Sequence, residues 1–433
     1  MNELACDVAV IGGGPAGLAA AAAAREQGAA KVTVVERDSA LGGILQQCIH
    51  PGFGLSYYNE ELCGPEYAAR FIDRAREAGA DFLLNTSVLE LTRDGQILCV
   101  GAAEGVARLS ARSVVLAMGC RERTRGNIAI PGSRPAGVYT AGTAQRLLNR
   151  QNRMVGKKIV ILGSGDIGMI MARRLTLEGA EVAAVIEIMD YPAGLTRNRV
   201  QCLDDFGIPL LLSHTVTGIT GRGRVEGVYV AAVDENRRPI PESQVFYPCD
   251  TLLLSVGLIP ENELSRGAGI DLDPVTGGPV VNQYMQTSAS CVFACGNVVH
   301  VNDLVDNVTV ESETAGRWAA RYALGEFPAE RARVPSVAGE NIRYVCPQQI
   351  SLGAEDREVT LYFRVRQPQR SVTLQATAGD GTVLERRKLI KANPGEMEHV
   401  TVRNGDLNAA SRCVRVDVLP SPAAEGTEAM QNE

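Results

Sequence analysis

Histidine is scarce, with four in 433 residues, and the eleven cysteines form neither a Cys-x-x-Cys pair nor a His/Cys cluster at zinc-ligand spacing. A structural metal site is therefore not expected, and neither is a thioredoxin-type dithiol. Basic charge is also short: 43 Lys and Arg stand against 50 Asp and Glu, for a net charge of −7. That balance argues against nucleic acid or an anionic membrane as partner, since both need a basic face. No run of about 20 apolar residues appears, so no spanning segment is expected. The apolar stretch Leu18–Ala24 has the look of a secretory core, but Glu3 and Asp7 precede it and no Lys or Arg does. An odd number of unclustered cysteines and no export signal point to reduced thiols in a cytoplasm.

What is present is a repeat. CDVAVIGGGPAGLAAAAAAREQGAAKVTVVER begins at Cys6, and KKIVILGSGDIGMIMARRLTLEGAEVAAVIEI begins at Lys157. Each reads as a short apolar strand, a glycine loop, a helix, a glycine turn and a second β-branched strand. Glycines fall at Gly12, Gly14 and Gly17 in the first copy and at Gly163, Gly165 and Gly168 in the second. Turn glycines follow at Gly28 and Gly179, and acids at Glu36 and Glu187, at the same offsets in both copies. One G-x-G-x-x-G is a weak signal; two with matching turns and acids are a strong one.

The spacing has a physical reading. The first glycine makes a tight turn, the second admits a pyrophosphate, and the third lets helix pack on strand. The helix N-terminus then holds the anion. Pro15 and Ala16, and Asp166 and Ile167, occupy the start of each helix. A glutamate at the tip of the second strand accepts from ribose hydroxyls. Glu187 would repel a 2′-phosphate, which predicts NAD over NADP, although Arg197 and Arg199 are near enough in sequence to reach a phosphate. Further buried strands end in glycine: Ser113–Gly119, with Ala117, and Thr251–Pro260, with Gly257. TSASCVFACGNVVH (Thr287–His300) leads a strand into Gly296-Asn297.

Together these segments resemble the two-dinucleotide-fold flavoproteins of the pyridine nucleotide–disulfide oxidoreductase superfamily, over residues of about 5 to 325. The resemblance implies FAD on the first fold, with Glu36 at the adenosine ribose, and NAD(H) on the second. It places a polar side chain after Gly296 near the flavin; that residue is Asn297 where the family has aspartate. DLVDNVTVESETAGRWAARYALG has helical spacing, with Asp303 or Asp306 as expected cap, and by resemblance its start faces the flavin ring. His300 lies just upstream.

The same resemblance makes GGILQQCIHPGFGL (Gly42–Leu55) the unusual segment. Disulfide reductases of the superfamily carry two cysteines after the second glycine, here Gly43, at positions that this chain fills with Leu45 and His50. Cys48 falls between them. A thioredoxin-reductase-like pair is absent from GVYTAGTAQRLLNRQNRM as well. The similarity is then to the non-disulfide branch. AMGCRER and IPGSRPAGVYTAGTAQRLLN resemble flavin subunits of opine, proline or cyanide-forming amine oxidoreductases. GGILQQCIHPGFG, EELCGPEYAARF and PGEMEHV resemble bacterial NAD/FAD oxidoreductases that accompany a flavin dehydrogenase of glycerol-3-phosphate type. Cys48 and His50 are the candidate catalytic residues: a thiolate with a tuning or acid–base imidazole, or a packed thiol and a loop cap.

From about Pro335 the pattern changes to alternating segments divided by GDG and NPGE turns, which predicts a small antiparallel β-domain. The expected fold class is α/β: two Rossmann-like dinucleotide domains, the NAD domain inserted in the FAD domain, followed by that β-domain. The expected limits are 1–120 with 265–332 for FAD, 121–264 for NAD, 335–420 for the β-domain and 421–433 for a disordered tail. Three readings of function stay open. The first is an FAD- and NAD-dependent electron-transfer subunit, working with a second flavin dehydrogenase subunit or as a homo-oligomer. The second is a stand-alone NADH oxidase, peroxidase or small-disulfide reductase using Cys48. The third is a non-enzymatic redox sensor or scaffold.

Overall fold

A computed structural model describes residues 2–103, 105–329, 332–353 and 358–421. The expected tail lies outside the described residues except for Ser421. Two compact units emerge. One holds the chain up to Pro279 together with Tyr284–Phe327; the other holds Val280–Gln283 and the chain from Pro328.

The first unit contains both copies of the repeat, the first built on the parallel part of a mixed sheet and the second on a parallel sheet. In the first, Asn2–Ile11 lies between Val32–Val35 and Gly105–Leu116, with Asp81–Leu83 beyond Val32–Val35. The 12-residue strand Gly105–Leu116 is shared along its other side. Its first half pairs antiparallel with Gln96–Gly101, and its end pairs parallel with Val292–Ala294. A late segment of the chain thereby returns to the first sheet, as the inserted arrangement requires. The second sheet is parallel throughout, in the order Val138–Thr140, Thr251–Leu254, Lys158–Leu162, Glu181–Ile186, Leu210–Leu211. The strands at the centre of both sheets are runs of buried β-branched and Leu residues, as sheets covered on both faces demand.

The alanine run that mimics a secretory core is the helix Pro15–Glu26, buried from Ala16 through Ala24. Its small side chains have a packing cause. A methyl at Gly316, on the helix Val305–Ala323, would sit 2.0 Å from the Ala20 carbonyl oxygen. The two helices meet backbone to backbone. Among the described residues no helix is long and apolar enough to cross a membrane.

The start of the helix Val305–Ala323 corrects one expectation. Leu304 occupies the N-cap position and no side chain caps this end. Asp306 is already helical, and its carboxylate turns outward to a loop instead of back to its own first turn.

The second unit is built of two sheets around one apolar core that includes Val345, Leu361, Phe363, Leu374, Val400 and Val416. The five-stranded sheet runs Gln349–Ser351, Arg333–Ala338, Val414–Pro420, Gln369–Ala378, Val383–Ala392; the three-stranded one runs Ile342–Cys346, Glu358–Val365, Glu398–Arg403. Strand Glu358–Val365 buries every second residue, the period that made it legible. The pairing is antiparallel except between Ser336–Ala338 and Val414–Val416, which run parallel.

Candidate functional site

The two glycine loops are held by the same device. In the first copy a methyl on Gly12, whose φ is +109°, would lie 2.4 Å from the Ala117 carbonyl oxygen, and one on Gly17 would lie 1.8 Å from the Gly12 oxygen. Only glycine permits that closeness. In the second copy Gly163 has φ +96° and its methyl would meet the Ser255 oxygen at 2.1 Å. One methyl on Gly168 would meet the Ser255 Cβ at 2.7 Å and the Gly163 oxygen at 2.9 Å.

The strand-tip acids lock these loops. Glu36 accepts from the Gly13 N–H at 2.6 Å through Oε2 and from the Asp38 N–H at 2.7 Å through Oε1. Glu187 accepts from the Ser164 N–H at 2.9 Å and hydroxyl at 2.6 Å through Oε2, and from the Met189 N–H at 2.9 Å through Oε1. Both carboxylates are buried. Each reaches 23 residues back to the loop and two residues forward.

The residues present fit dinucleotides. Gly14 caps the helix Pro15–Glu26 without a side chain, Pro15 occupies its first turn, and that turn carries no acid. The Gly14 Cα faces the Gly43 backbone, where a methyl on Gly43 would approach to 2.9 Å. Two glycines in contact leave an open, donor-lined lip. The second cradle differs, because Asp166 stands in the first turn of its helix, Asp166–Leu177. Its Oδ1 accepts from the Leu195 N–H at 2.8 Å and the Asn198 amide at 2.7 Å. The Ser164 hydroxyl and carbonyl likewise accept from the Ala193 N–H at 2.8 Å and the Gly194 N–H at 3.0 Å. A segment from Ala193 to Asn198 is thus stitched to the glycine loop.

Gly119 and Gly257, both at positive φ, open two short strands that pair with one another: Cys120–Glu122 against Leu258–Pro260, antiparallel. They connect the two sheets. Gly296 has φ +70°, and a methyl there would touch Ala16 and Val308 at about 3 Å. It sits between the starts of two helices. Asn297 accepts from the Asn302 N–H at 2.9 Å, and its amide donates to the Cys120 sulfur at 3.6 Å. His300 is fully buried, with Nε2 2.6 Å from Glu311 Oε1, so it is an interior side chain.

Cys48 is packed. Its thiol donates to the Ile44 carbonyl at 3.3 Å, with the Gln145 amide oxygen at 3.8 Å. Burial pushes it up to about 12, which leaves a protonated thiol at neutral pH. The neighbouring Gln47 donates to the Gly142 carbonyl at 2.8 Å and the Gln145 side chain at 3.0 Å, and the Asn149 amide donates to the Gln47 carbonyl at 2.8 Å. Those contacts fix the segment Gly43–Gln47 on the helix Ala141–Gln151.

His50 points elsewhere. Its Nδ1 lies 3.0 Å from the Pro51 carbonyl. Burial, aided by the nearby Arg197 and Arg173 cations and opposed by the Pro51 hydrogen bond and the Asp166 carboxylate, leaves its pKa below the ordinary histidine value. All three charges belong to the second dinucleotide fold. A methyl on Gly52 would lie 2.8 Å from the Arg197 guanidinium. Cys48 and His50, two residues apart, therefore serve different neighbourhoods.

Asp306 is the main residue that sequence reasoning misassigned. It accepts from the Gly54 N–H at 3.0 Å and from the Ser56 N–H and hydroxyl, each at 2.8 Å. It clamps the far end of the Cys48–Leu55 loop across some 250 residues of sequence. Only its unusual burial within the first turn distinguishes it, and burial is invisible in one sequence.

Two carboxylate-locked glycine loops on two sheets define the class of oxidoreductases built from tandem dinucleotide folds. The chain belongs to the pyridine nucleotide-disulphide oxidoreductase family, whose model matches residues 6–318. That family binds FAD and NAD(P)H, and the chain is an enzyme of this kind. The chain is 28% identical over 341 residues to a putative glutamate synthase [NADPH] small chain of Cereibacter sphaeroides, covering 73% of this chain and 76% of that one. It is 26% identical to an opine oxidase subunit of Agrobacterium tumefaciens, covering 74% of this chain and 66% of that one. NADH oxidase of Methanocaldococcus jannaschii is 26% identical, covering 77% and 69%. Among solved structures, thioredoxin reductase of T. acidophilum superposes with TM-score 0.60 at 23% identity, over 74% of this chain and 99% of that one. The NAD-dependent persulfide reductase of A. fulgidus does so at 0.57 and 21%, over 92% and 73%.

Proposed function

We propose that this chain is an FAD-dependent NAD(H) oxidoreductase that exchanges electrons between a nicotinamide nucleotide and a partner dehydrogenase. The supporting observation is the duplicated lock, with Glu36 and Glu187 each closing a glycine loop in one chain. On this reading residues 1–120 and 265–332 hold FAD, with Gly12, Gly14, Pro15, Ala16, Gly17, Glu36, Gly42, Gly43, Ala117, Gly119, Gly296, Asn297 and His300 in or behind the seat. Residues 121–264 hold NAD(H), with Gly163, Gly165, Asp166, Ile167, Gly168, Glu187 and Gly257. Bound FAD supplies the electron-accepting ring. The chain supplies loop geometry, donors at a helix N-terminus and two ribose acceptors, and Glu187 disfavours a 2′-phosphate.

The partner reading is favoured over a stand-alone cysteine reaction by Cys48, a half-buried residue whose thiol donates to the Ile44 carbonyl and has its pKa pushed up to about 12 by desolvation. Two proteins similar to this chain, from opine oxidase and from hydrogen cyanide synthase, are subunits by name. All eleven cysteines are free, which suits a reducing cytoplasm. The test is anaerobic addition of NADH to the FAD-loaded protein. The flavin absorbance should bleach in a single turnover, and equally in Cys48→Ser. An unbleached flavin in the parent sinks the proposal. A Cys48→Ser protein that bleaches but no longer turns over would restore the stand-alone reading.

A further inference from the structure

The two cradles differ in charge. The FAD-side helix starts with no acid, whereas the nucleotide-side helix starts with Asp166. A carboxylate in the first turn opposes a phosphate arriving there. Something must offset it, and the cations sit close by. Arg197 lies two residues beyond Leu195, whose N–H is bound to Asp166. Its guanidinium is exposed and, among the described residues, makes no ion pair or hydrogen bond. Arg199, the other candidate from sequence, is 3.6 Å from Asp204 and so already has an anion. Facing Arg197 from the other fold is the Ile49–Phe53 loop, where a methyl on Gly52 would lie 2.8 Å from the guanidinium. His50 on that loop feels Arg197 and Asp166 together.

We infer that His50 and Arg197 form a clasp across the cleft between the two folds, closing on the phosphates of the nicotinamide nucleotide. His50 is then a positioning residue for the nucleotide and does no acid–base work at the flavin. The inference rests on the second fold being the nucleotide seat. It explains why the Cys48 loop is fixed at both ends, by the Gln47 contacts and by Asp306, and why Gly52 with φ +113° lies against Arg197. A side chain at that position would displace the guanidinium.

ADP-ribose is the probe, titrated into the FAD-loaded protein by calorimetry. It carries the pyrophosphate and leaves the flavin oxidised. Arg197→Ala should weaken it about tenfold, and Arg197→Lys should recover most of that loss. Added salt should weaken the parent more than Arg197→Ala. His50→Asn keeps a donor for the Pro51 carbonyl but cannot become a cation. The groups facing His50 are the cations Arg197 and Arg173, the anion Asp166 and the Pro51 carbonyl. An arriving anion favours the protonated ring, so parent affinity should rise as pH falls from about 8 to about 6. In His50→Asn that rise should vanish. Flavin content serves as the folding control. Affinities within twofold of the parent, or a pH response that survives in His50→Asn, overturn the clasp. Failure of the parent itself to bind ADP-ribose would instead refute the nucleotide seat.

Discussion

At the scale of single residues, the strongest constraint is the pair of buried glutamates. Each lies at a strand tip and reaches a loop 23 residues earlier. On the proposed nucleotide seat, Glu187 has the second task of excluding a 2′-phosphate by charge. Glu187→Gln keeps an acceptor for the Ser164 N–H while removing the charge. It should lower the preference for NADH over NADPH, about tenfold in the ratio of dissociation constants. Glu187→Ala should also loosen the loop, since Ser164 and Met189 lose their acceptor. Stopped-flow measurement of nucleotide dissociation constants for both variants checks this. Tighter NADPH than NADH binding in the unsubstituted protein would overturn the assignment.

The glycines were legible in the sequence because the residue type itself records the constraint, even where the neighbour it meets is distant. Gly12 and Gly163 have positive φ, and a methyl on Gly17 or Gly168 would lie within 3 Å of other atoms, so all four positions admit only glycine. The alternation in Glu358–Val365 is legible because its cause is local. His50 was not legible in this way. Its neighbours Arg197, Asp166 and Arg173 are more than a hundred residues away, and spacing carries no information about them. Cys48 looked reactive in the sequence because a cysteine beside a histidine is a familiar catalytic pair. The structure separates their surroundings and ties the thiol to the Ile44 carbonyl.

At the scale of elements, the Cys48–Leu55 loop depends on a helix that the chain makes much later. The helix Val305–Ala323 offers Asp306 to the loop and Glu313 to the Tyr57 hydroxyl. The helix is in turn seated on Pro15–Glu26 through the Gly316 contact. The start of the FAD fold, its end and the loop between the folds thus form one mechanical chain. Asp306→Ala leaves the buried Gly54 N–H and the part-buried Ser56 N–H without their acceptor. The expected cost is about 2–3 kcal/mol in denaturant unfolding. Those two amides should exchange with deuterium much faster, while the amides of Asn2–Ile11 stay protected. Unchanged exchange at Gly54 and Ser56 would show that the loop does not need this clamp.

At the scale of the whole molecule, the chain is divided unevenly between two cores. The second unit borrows Val280–Gln283 from a stretch whose flanks, Pro279 and Tyr284, belong to the first. That segment is bound tightly within its unit. Gln283 donates to the Ser351 carbonyl at 3.0 Å and accepts from the Ser351 N–H at 2.9 Å, and the Val281 N–H donates to Gln348 at 3.0 Å. Two separately built cores predict two unfolding transitions in calorimetry. The proposed FAD seat lies wholly in the first, so excess FAD should raise one transition by mass action, about 2.7 kcal/mol at a hundredfold excess over Kd. Gln283→Ala removes the side chain that bonds both the N–H and the carbonyl of Ser351. It should lower the other transition by about 1–3 kcal/mol and leave the FAD-sensitive one where it was. A single transition that moves as a whole with FAD would mean that the borrowed segment binds the two cores into one cooperative unit.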